Sequence, residues 1–293
     1  MRSRVLTSNQ NPKIKFAVSL QKASVRKKEG LLLIEGPREI RLAMLAGYQF
    51  HTLFFCPAIA EKYCADFHGD ISAGYSDARD VVDLMTGQAQ IIEVTKAVFA
   101  RIAYREGYGG LVGIARQKIP VLEDIKPGSN PLVLVAESVE KPGNFGAMLR
   151  TADAAGVDAV IVCDSGTDIF NPNVVRSSLG TLFTVPVVCC SPQEAISWLK
   201  SKKIKIHTTA LTASKPYYSA DFKGPSAVVS GAEATGVSAI WEENSDATII
   251  IPMFGKVDSI NVSVATSIVL YEALRQRGFD SGRESRPGYH MPE

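Results

Sequence analysis

Residues 131–164 read "PLVLVAESVEKPGNFGAMLRTADAAGVDAVIVCD". "PLVLVAES" is a nearly unbroken apolar run of strand length, the pattern of a strand buried on both faces of a sheet. A turn with Gly143 and Gly146 follows, and a helix is expected over about 144–156. "AVIVCD" then reads as a second buried strand. Strand, helix and strand in this order predict parallel pairing across a helical crossover.

The same alternation continues downstream. "NPNVVRSSLGT" is expected to be helical and "FTVPVVCC" extended. "SPQEAISWLKSK" carries a helix start, with Ser191 as cap, Pro192 first inside and Glu194 at the third position. The strands "IKIHTTAL", "SAVVSG" and "ATIIIPM" follow, with a short helix after Gly236. "NVSVATSIVLYEALRQR" closes the series as a helix with apolar residues at roughly helical spacing. The fold class is α/β, a mostly parallel sheet with helices on both sides.

Upstream, "VLEDIKPGSNP" (121–131) breaks the periodicity with Pro, Gly, Ser and Asn. The expected organisation is a small α/β domain over 1–120, a linker over 121–130, a larger domain over 131–277 and a flexible tail over 278–293. In the first domain "GLLLIEG", "HTLFFC", "AQIIEV" and "GLVGIAR" read as strands. "PREIRLAMLAG" reads as a helix between Pro37 and Gly47.

The net charge of +2 hides an asymmetry, because residues 1–41 hold ten Lys/Arg against three Glu, a local +7. Such a cluster attracts polyanions by releasing condensed counterions, although a solvated surface helix would look the same. Lys13, Arg26, Lys27, Lys28 and Arg38 are the candidate RNA contacts. No apolar run approaches the roughly 18 residues that span a bilayer, and no signal-peptide core follows the basic start. The expectation is a cytoplasmic protein without a membrane partner. Five cysteines and four histidines are scattered without metal-ligand spacing, so reduced thiols and no metal are expected.

Three loops at strand ends stand out, because open α/β sheets bind ligands there. They lie at 137–156, at "VVSGAEATGVS" (228–238) and at "IIIPMFGKVDSINVSVA" (249–265). None carries GxxxxGK(S/T) or GxGxxG, which argues against a nucleotide-phosphate loop and against a dinucleotide-dependent oxidoreductase. Asn144 stands where a helix cap belongs, and capping is its default role. Arg150 lies among Met148, Leu149 and Ala152, so shielding from solvent is expected, with Glu233 or an RNA phosphate as partner. Ser259, Asn261 and Ser263 surround a helix start that one cap would satisfy.

In order and spacing, "NFGAMLRTADAAG", "GAEATG" and "IPMFGKVDSINVSVATSIVLYEALRQR" resemble the three signature motifs of the SpoU/TrmH RNA 2′-O-ribose methyltransferases, a branch of the SPOUT superfamily. The segment before residue 41 resembles the ribosomal-protein-like RNA-binding domain often fused in front. The resemblance implies S-adenosyl-L-methionine as methyl donor, held in a deep trefoil knot, and a homodimer joined through the C-terminal domain. It implies cofactor contacts at Thr209, Ala210, Leu211, Gly231, Ile251, Met253, Ile260 and Ser263. It implies catalytic roles for Asn144, Arg150, Glu233, Ser259 and Asn261. Arginine stays protonated in proteins, so Arg150 is expected to hold a phosphate and stabilise alkoxide charge rather than act as a literal base. The expected substrate is rRNA, with tRNA and a non-catalytic RNA-binding or resistance factor as alternatives.

Overall fold

The computed structural model describes residues 5–66, 77–104, 109–164, 166, 168–232 and 235–279. Glu233 and the expected tail from residue 280 onward lie outside the described residues. The chain forms two compact units, Met1–Lys118 with Thr167–Thr184, and Ile119–Gly166 with Val185–Glu293.

The first unit comprises α1 (Pro12–Ser19), α2 (Ala23–Glu29), β1 (Leu31–Glu35), α3 (Pro37–Leu45), β2 (Phe50–Phe55), α4 (Pro57–Asp66), α5 (Ala78–Met85), β3 (Gln90–Glu93), α6 (Lys96–Ile102) and β4 (Leu111–Arg116). Its sheet has the order β1-β4-β2-β3, antiparallel except for β2 with β3. The four strands fall where the sequence places them. Several helices here are too short for a periodic pattern to announce them. They are marked instead by side-chain caps, Asp77 accepting from the Arg79 amide and Thr95 from the Val98 amide.

Arg26 overturns the expectation of an RNA contact. It is 1% exposed. Its Nε and Nη2 donate to Asp168 Oδ2 at 2.9 and 2.6 Å, and its Nη1 donates to the carbonyls of Leu20 and Gln21, each at 2.8 Å. A buried guanidinium needs this full set of acceptors, since desolvating it alone is costly. The residue is a structural clasp within the first unit. Arg26→Ala is expected to lower unfolding stability by about 3–5 kcal/mol, leaving Asp168 without its counter-charge. Lys27→Ala, on the exposed side of α2, is expected to change it by no more than about 0.5 kcal/mol. Urea unfolding of both variants checks the contrast.

The second unit comprises β5 (Leu132–Glu137), α7 (Pro142–Ala154), β6 (Ala159–Cys163), β7 (Val187–Cys190), α9 (Pro192–Ser201), β8 (Lys205–Thr209), β9 (Lys215–Pro216), β10 (Ser226–Ser230), α10 (Ala239–Asn244), β11 (Ala247–Ile250) and α11 (Val262–Gln276). Helix α8 (Pro172–Ser177) belongs to the first unit. All recorded pairings in the seven-stranded sheet, order β7-β6-β5-β10-β8-β11-β9, are parallel. All residues of β5, β6 and β10 are buried, as their apolar sequences require. Alternate side chains Val133, Val135, Ile161 and Val229 pack with Trp198 and Leu199 of α9 and Trp241 of α10. Helices α7 and α11 pack beside one another, and α11 also packs on β10.

Two expectations shift here. The 3-10 turn Thr181–Phe183 ends on the first residue of "FTVPVVCC", and the strand starts only at Val187. Pro186 lacks the amide that a ladder needs, so pairing begins after it. The stretch 121–130, expected as a linker, contributes Leu122 and Ile125 to the core of the second unit.

His207 in β8 is 3% exposed and stacks on Phe222 with ring centroids 4.4 Å apart. Neither ring nitrogen has a hydrogen-bond partner among the described residues. Burial pushes its pKa from 6.5 down to about 4, opposed by the charge of Asp246 and reinforced by Lys205 and Lys215. The unfolded chain therefore takes up this proton first as pH falls, so stability is retained above 6.5 and lost towards 4. Between pH 7 and pH 5 this group is expected to cost about 2 kcal/mol. Urea midpoints at the two pH values should show that drop, diminished in His207→Leu.

Candidate functional site

Two helix starts are tied together at the carboxyl edge of the parallel sheet. Helix α7 begins two residues earlier than the sequence suggests, with Pro142 in its first turn and Lys141 as a cap residue whose side chain makes no capping bond. Asn144 is thus inside the first turn and does not cap. Its Oδ1 instead accepts from Nδ2 of Asn261 at 3.2 Å. Asn261 caps α11, its Oδ1 accepting from the Ser263 amide at 3.0 Å and the Ser263 hydroxyl at 2.6 Å. One amide therefore caps a helix and grips the opening turn of its neighbour. Thr151 and Ser267 repeat the cross-link further along, hydroxyl to hydroxyl at 2.9 Å. The fully buried Thr266 donates to Ser230 Oγ at 2.9 Å, fixing α11 to the end of β10.

Arg150 departs from its expected shielding. Phe145, Met148, Leu149 and Ala152 form the buried stripe of α7, and position 150 falls off that stripe into solvent. No hydrogen bond or ion pair engages it among the described residues, and Glu233, its expected partner, lies outside them. The guanidinium is available to a ligand on a helix that its apolar neighbours hold in place.

Next to this pair of helices the ends of β8, β10 and β11 enclose a cleft of about 320 Å³. That volume suits a small organic ligand. Thr209, Ala210, Leu211, Gly231, Ile251, Met253 and Ile260 all line it, as does Ser259. Ser263 does not: its hydroxyl and amide are turned to Asn261. Sequence reading missed Thr212, Thr235, Val237 and Glu242, which also line the cleft.

One wall is nearly pure backbone. Ala232 and Gly236 exchange reciprocal amide-carbonyl bonds at 2.9 and 3.0 Å, closing the 232–236 loop on itself. A Cβ on Gly231 would lie 2.2 Å from both the carbonyl carbon and oxygen of Gly236 and 2.5 Å from the Val237 amide nitrogen. Gly236 itself has φ of +69°, the left-handed region in which glycine carries no penalty. The loop is braced from below by Glu137, which is 2% exposed. Its two oxygens accept from the amide of Ser238 at 2.7 Å and from the Ser238 hydroxyl. A carboxylate at the start of α10 complements the helix dipole and satisfies an otherwise unpaired amide. The signal for Glu137 was present in the sequence, as an acid closing an otherwise apolar buried strand.

The basic candidates of the first unit divide. Lys27 and Lys28 are exposed in the last turn of α2, and Lys13 is exposed with its Nζ 2.7 Å from Gln90 Oε1. Arg38 is half-buried in the first turn of α3.

Ligand binding beyond the strand ends is the general habit of open parallel sheets, and the second unit is an α/β ligand-binding domain of that class. Residues 131–271 match the SpoU rRNA Methylase family, and residues 11–113 match the MRM3-like substrate binding domain. The chain belongs to the SpoU methylase family, as its motifs lead one to expect. It is 30% identical to an uncharacterised tRNA/rRNA methyltransferase of Synechocystis, covering 93% of this chain and 94% of that protein. It is 29% identical to the 23S rRNA (guanosine(2553)-2′-O)-methyltransferase of Bacillus subtilis, over 91% and 97% of the two chains. A crystal structure of an AdoMet-bound rRNA methyltransferase from Sinorhizobium meliloti superposes with a TM-score of 0.81 at 27% identity, covering 93% of this chain and 97% of that one. Among the described residues no helix is long and apolar enough to cross a membrane.

Proposed function

We propose that this protein transfers a methyl group from S-adenosylmethionine to a ribose 2′-hydroxyl of ribosomal RNA. The observation that carries the reading is the adjacency of two sites, a backbone-walled cleft and a pair of helix starts joined through Asn144 and Asn261. The cofactor supplies an electrophilic methyl group when bound. The cleft fits it chemically: its wall at Gly231 admits no side chain, its floor is apolar, and Glu242 offers a carboxylate to a cationic ligand.

The chain's own residues then perform alignment and charge stabilisation, the two requirements of a displacement by a poorly acidic hydroxyl. In this reading the Arg150 guanidinium holds the phosphate next to the target ribose and stabilises charge developing on its oxygen. The N-terminus of α7, the positive end of the helix dipole, adds to that field. Asn144 and Asn261 present amides to the ribose, and Ser259 lines the cleft. The proton leaves through the phosphate or water. Lys13, Lys27 and Lys28 supply non-specific attraction to the RNA backbone. The knotted chain path and a homodimer belong to the same reading. Val264 and Tyr271 leave α11 with exposed apolar side chains, 50% and 45% accessible, suited to a partner subunit.

Mapping ribose methylation across all RNA in cells lacking the protein tests the proposal. One 2′-O-methyl site in rRNA should disappear and return on complementation. Loss in a tRNA would reassign the substrate, and no loss anywhere would refute methyl transfer.

A further inference from the structure

Cys163 and Cys190 are register partners at the ends of the adjacent parallel strands β6 and β7. Neighbouring strands place such partners about 4.8 Å apart at Cα, inside the 4.4–6.8 Å range that a disulfide bridges. Both side chains face α9, Cys163 within the core cluster there and Cys190 packed against it. The two thiols lie close enough for each to shift the other's ionisation. Cys163 is fully buried, whereas Cys190 is half-buried on edge strand β7 and lines an open groove of about 620 Å³. Cys189, one residue earlier, is exposed and also lines the groove, but strand alternation turns its side chain away from Cys163.

These positions divide the labour of a redox pair, one thiol reachable and one waiting behind it. We propose that Cys163 and Cys190 form a peroxide-responsive dithiol, in which Cys190 is oxidised from the groove and Cys163 closes a reversible disulfide across β6 and β7. The Cys190 thiolate attacks one oxygen of hydrogen peroxide, the O–O bond breaks, and hydroxide leaves to take up a proton. Cys163 sulfur then attacks the sulfenic sulfur, the S–O bond breaks, and the departing hydroxide takes up the Cys163 proton to leave as a second water. Two thiols lose two electrons and one peroxide gains them.

The direction of attack agrees with the mutual influence of the thiols, which lowers the pKa of Cys190 and, together with burial, raises that of Cys163. Glu123 and Glu194 line the same groove, favouring a neutral oxidant over an anionic one such as glutathione disulfide. The pair also adjoins the brace of the 232–236 loop, because Cys163 is the register partner of Glu137.

The test treats the reduced full-length chain with one to a few equivalents of hydrogen peroxide, blocks remaining thiols with N-ethylmaleimide, and maps peptides by mass spectrometry. The expected product is an intrachain Cys163–Cys190 linked peptide pair, a chain lighter by two hydrogens and restored by dithiothreitol. Cys190→Ser should abolish the linkage and slow peroxide consumption at least tenfold, and it alters only a half-buried edge position. Cys163→Ala should leave a sulfenic acid at Cys190 that dimedone traps. First oxidation at Cys189 or Cys56, a link between two chains, or Cys190 sulfinic acid without a linked peptide would overturn the proposal.

Discussion

Replacing Arg150 with alanine should lower kcat/KM for RNA methyl transfer by about 10²–10⁴-fold while leaving cofactor affinity within about twofold. The asymmetry follows from where the residue sits. It is exposed on α7 and does not line the cleft, so neither the fold nor the cofactor depends on it. Surface substitutions of this kind change stability by less than about 0.5 kcal/mol, so lost activity cannot be lost folding. The effect should appear in single-turnover methylation of an rRNA fragment, alongside calorimetric titration of S-adenosylmethionine into both proteins. Arg150→Lys separates charge from shape. A guanidinium binds phosphate through a planar fork, whereas an ammonium is a point charge. Near-normal turnover in Arg150→Lys would refute fork-like positioning, and unchanged turnover in Arg150→Ala would remove the residue from the chemistry altogether.

Gly231→Ala is expected to act on the other half of the site, weakening S-adenosylmethionine binding by about 10²-fold, equivalent to ~3 kcal/mol. The added methyl group meets only backbone, at 2.2 Å from Gly236 and 2.5 Å from Val237, and no rotamer change can relieve it. The 232–236 loop must open, breaking the reciprocal Ala232–Gly236 bonds and reshaping one wall of the cleft. A stability loss of about 1–3 kcal/mol should accompany it. Gly143→Ala is the matched control. A Cβ there meets nothing within 4 Å, and the position lies in the first turn of α7. Its cofactor affinity should equal that of the parent, and its thermal midpoint should stay level or rise. Equal cofactor affinity in Gly231→Ala would exclude this wall from the binding site.

Some of the site is written locally. The apolar runs of β5, β6 and β10 can only be strands buried on both faces, and burial on both faces implies crossover helices and a parallel sheet. The Ser191–Glu194 capping box forms as the sequence reads, hydroxyl to amide at 3.3 Å and carboxylate to amide at 2.8 Å. The loops at 209–211, 231 and 251–260, which the sequence singles out, come together around one cleft.

Other assignments depended on partners far away in the chain. Asn144 looks like a cap by local rules, yet the helix starts at Pro142 and its amide meets Asn261, 117 residues on. Arg26 looks like one more cation in a basic run until Asp168, 142 residues later, and two carbonyls enclose it. Cys163 and Cys190 become a pair only through strand register. By itself, then, the sequence determined the α/β class, the parallel sheet, the loops that line the cleft and the family. Tertiary structure decided which polar side chains are spent on the fold and which are left for a substrate. The physical reason is range: periodicity and capping act over three or four residues, whereas burial and polar pairing are settled by whichever distant segment arrives alongside.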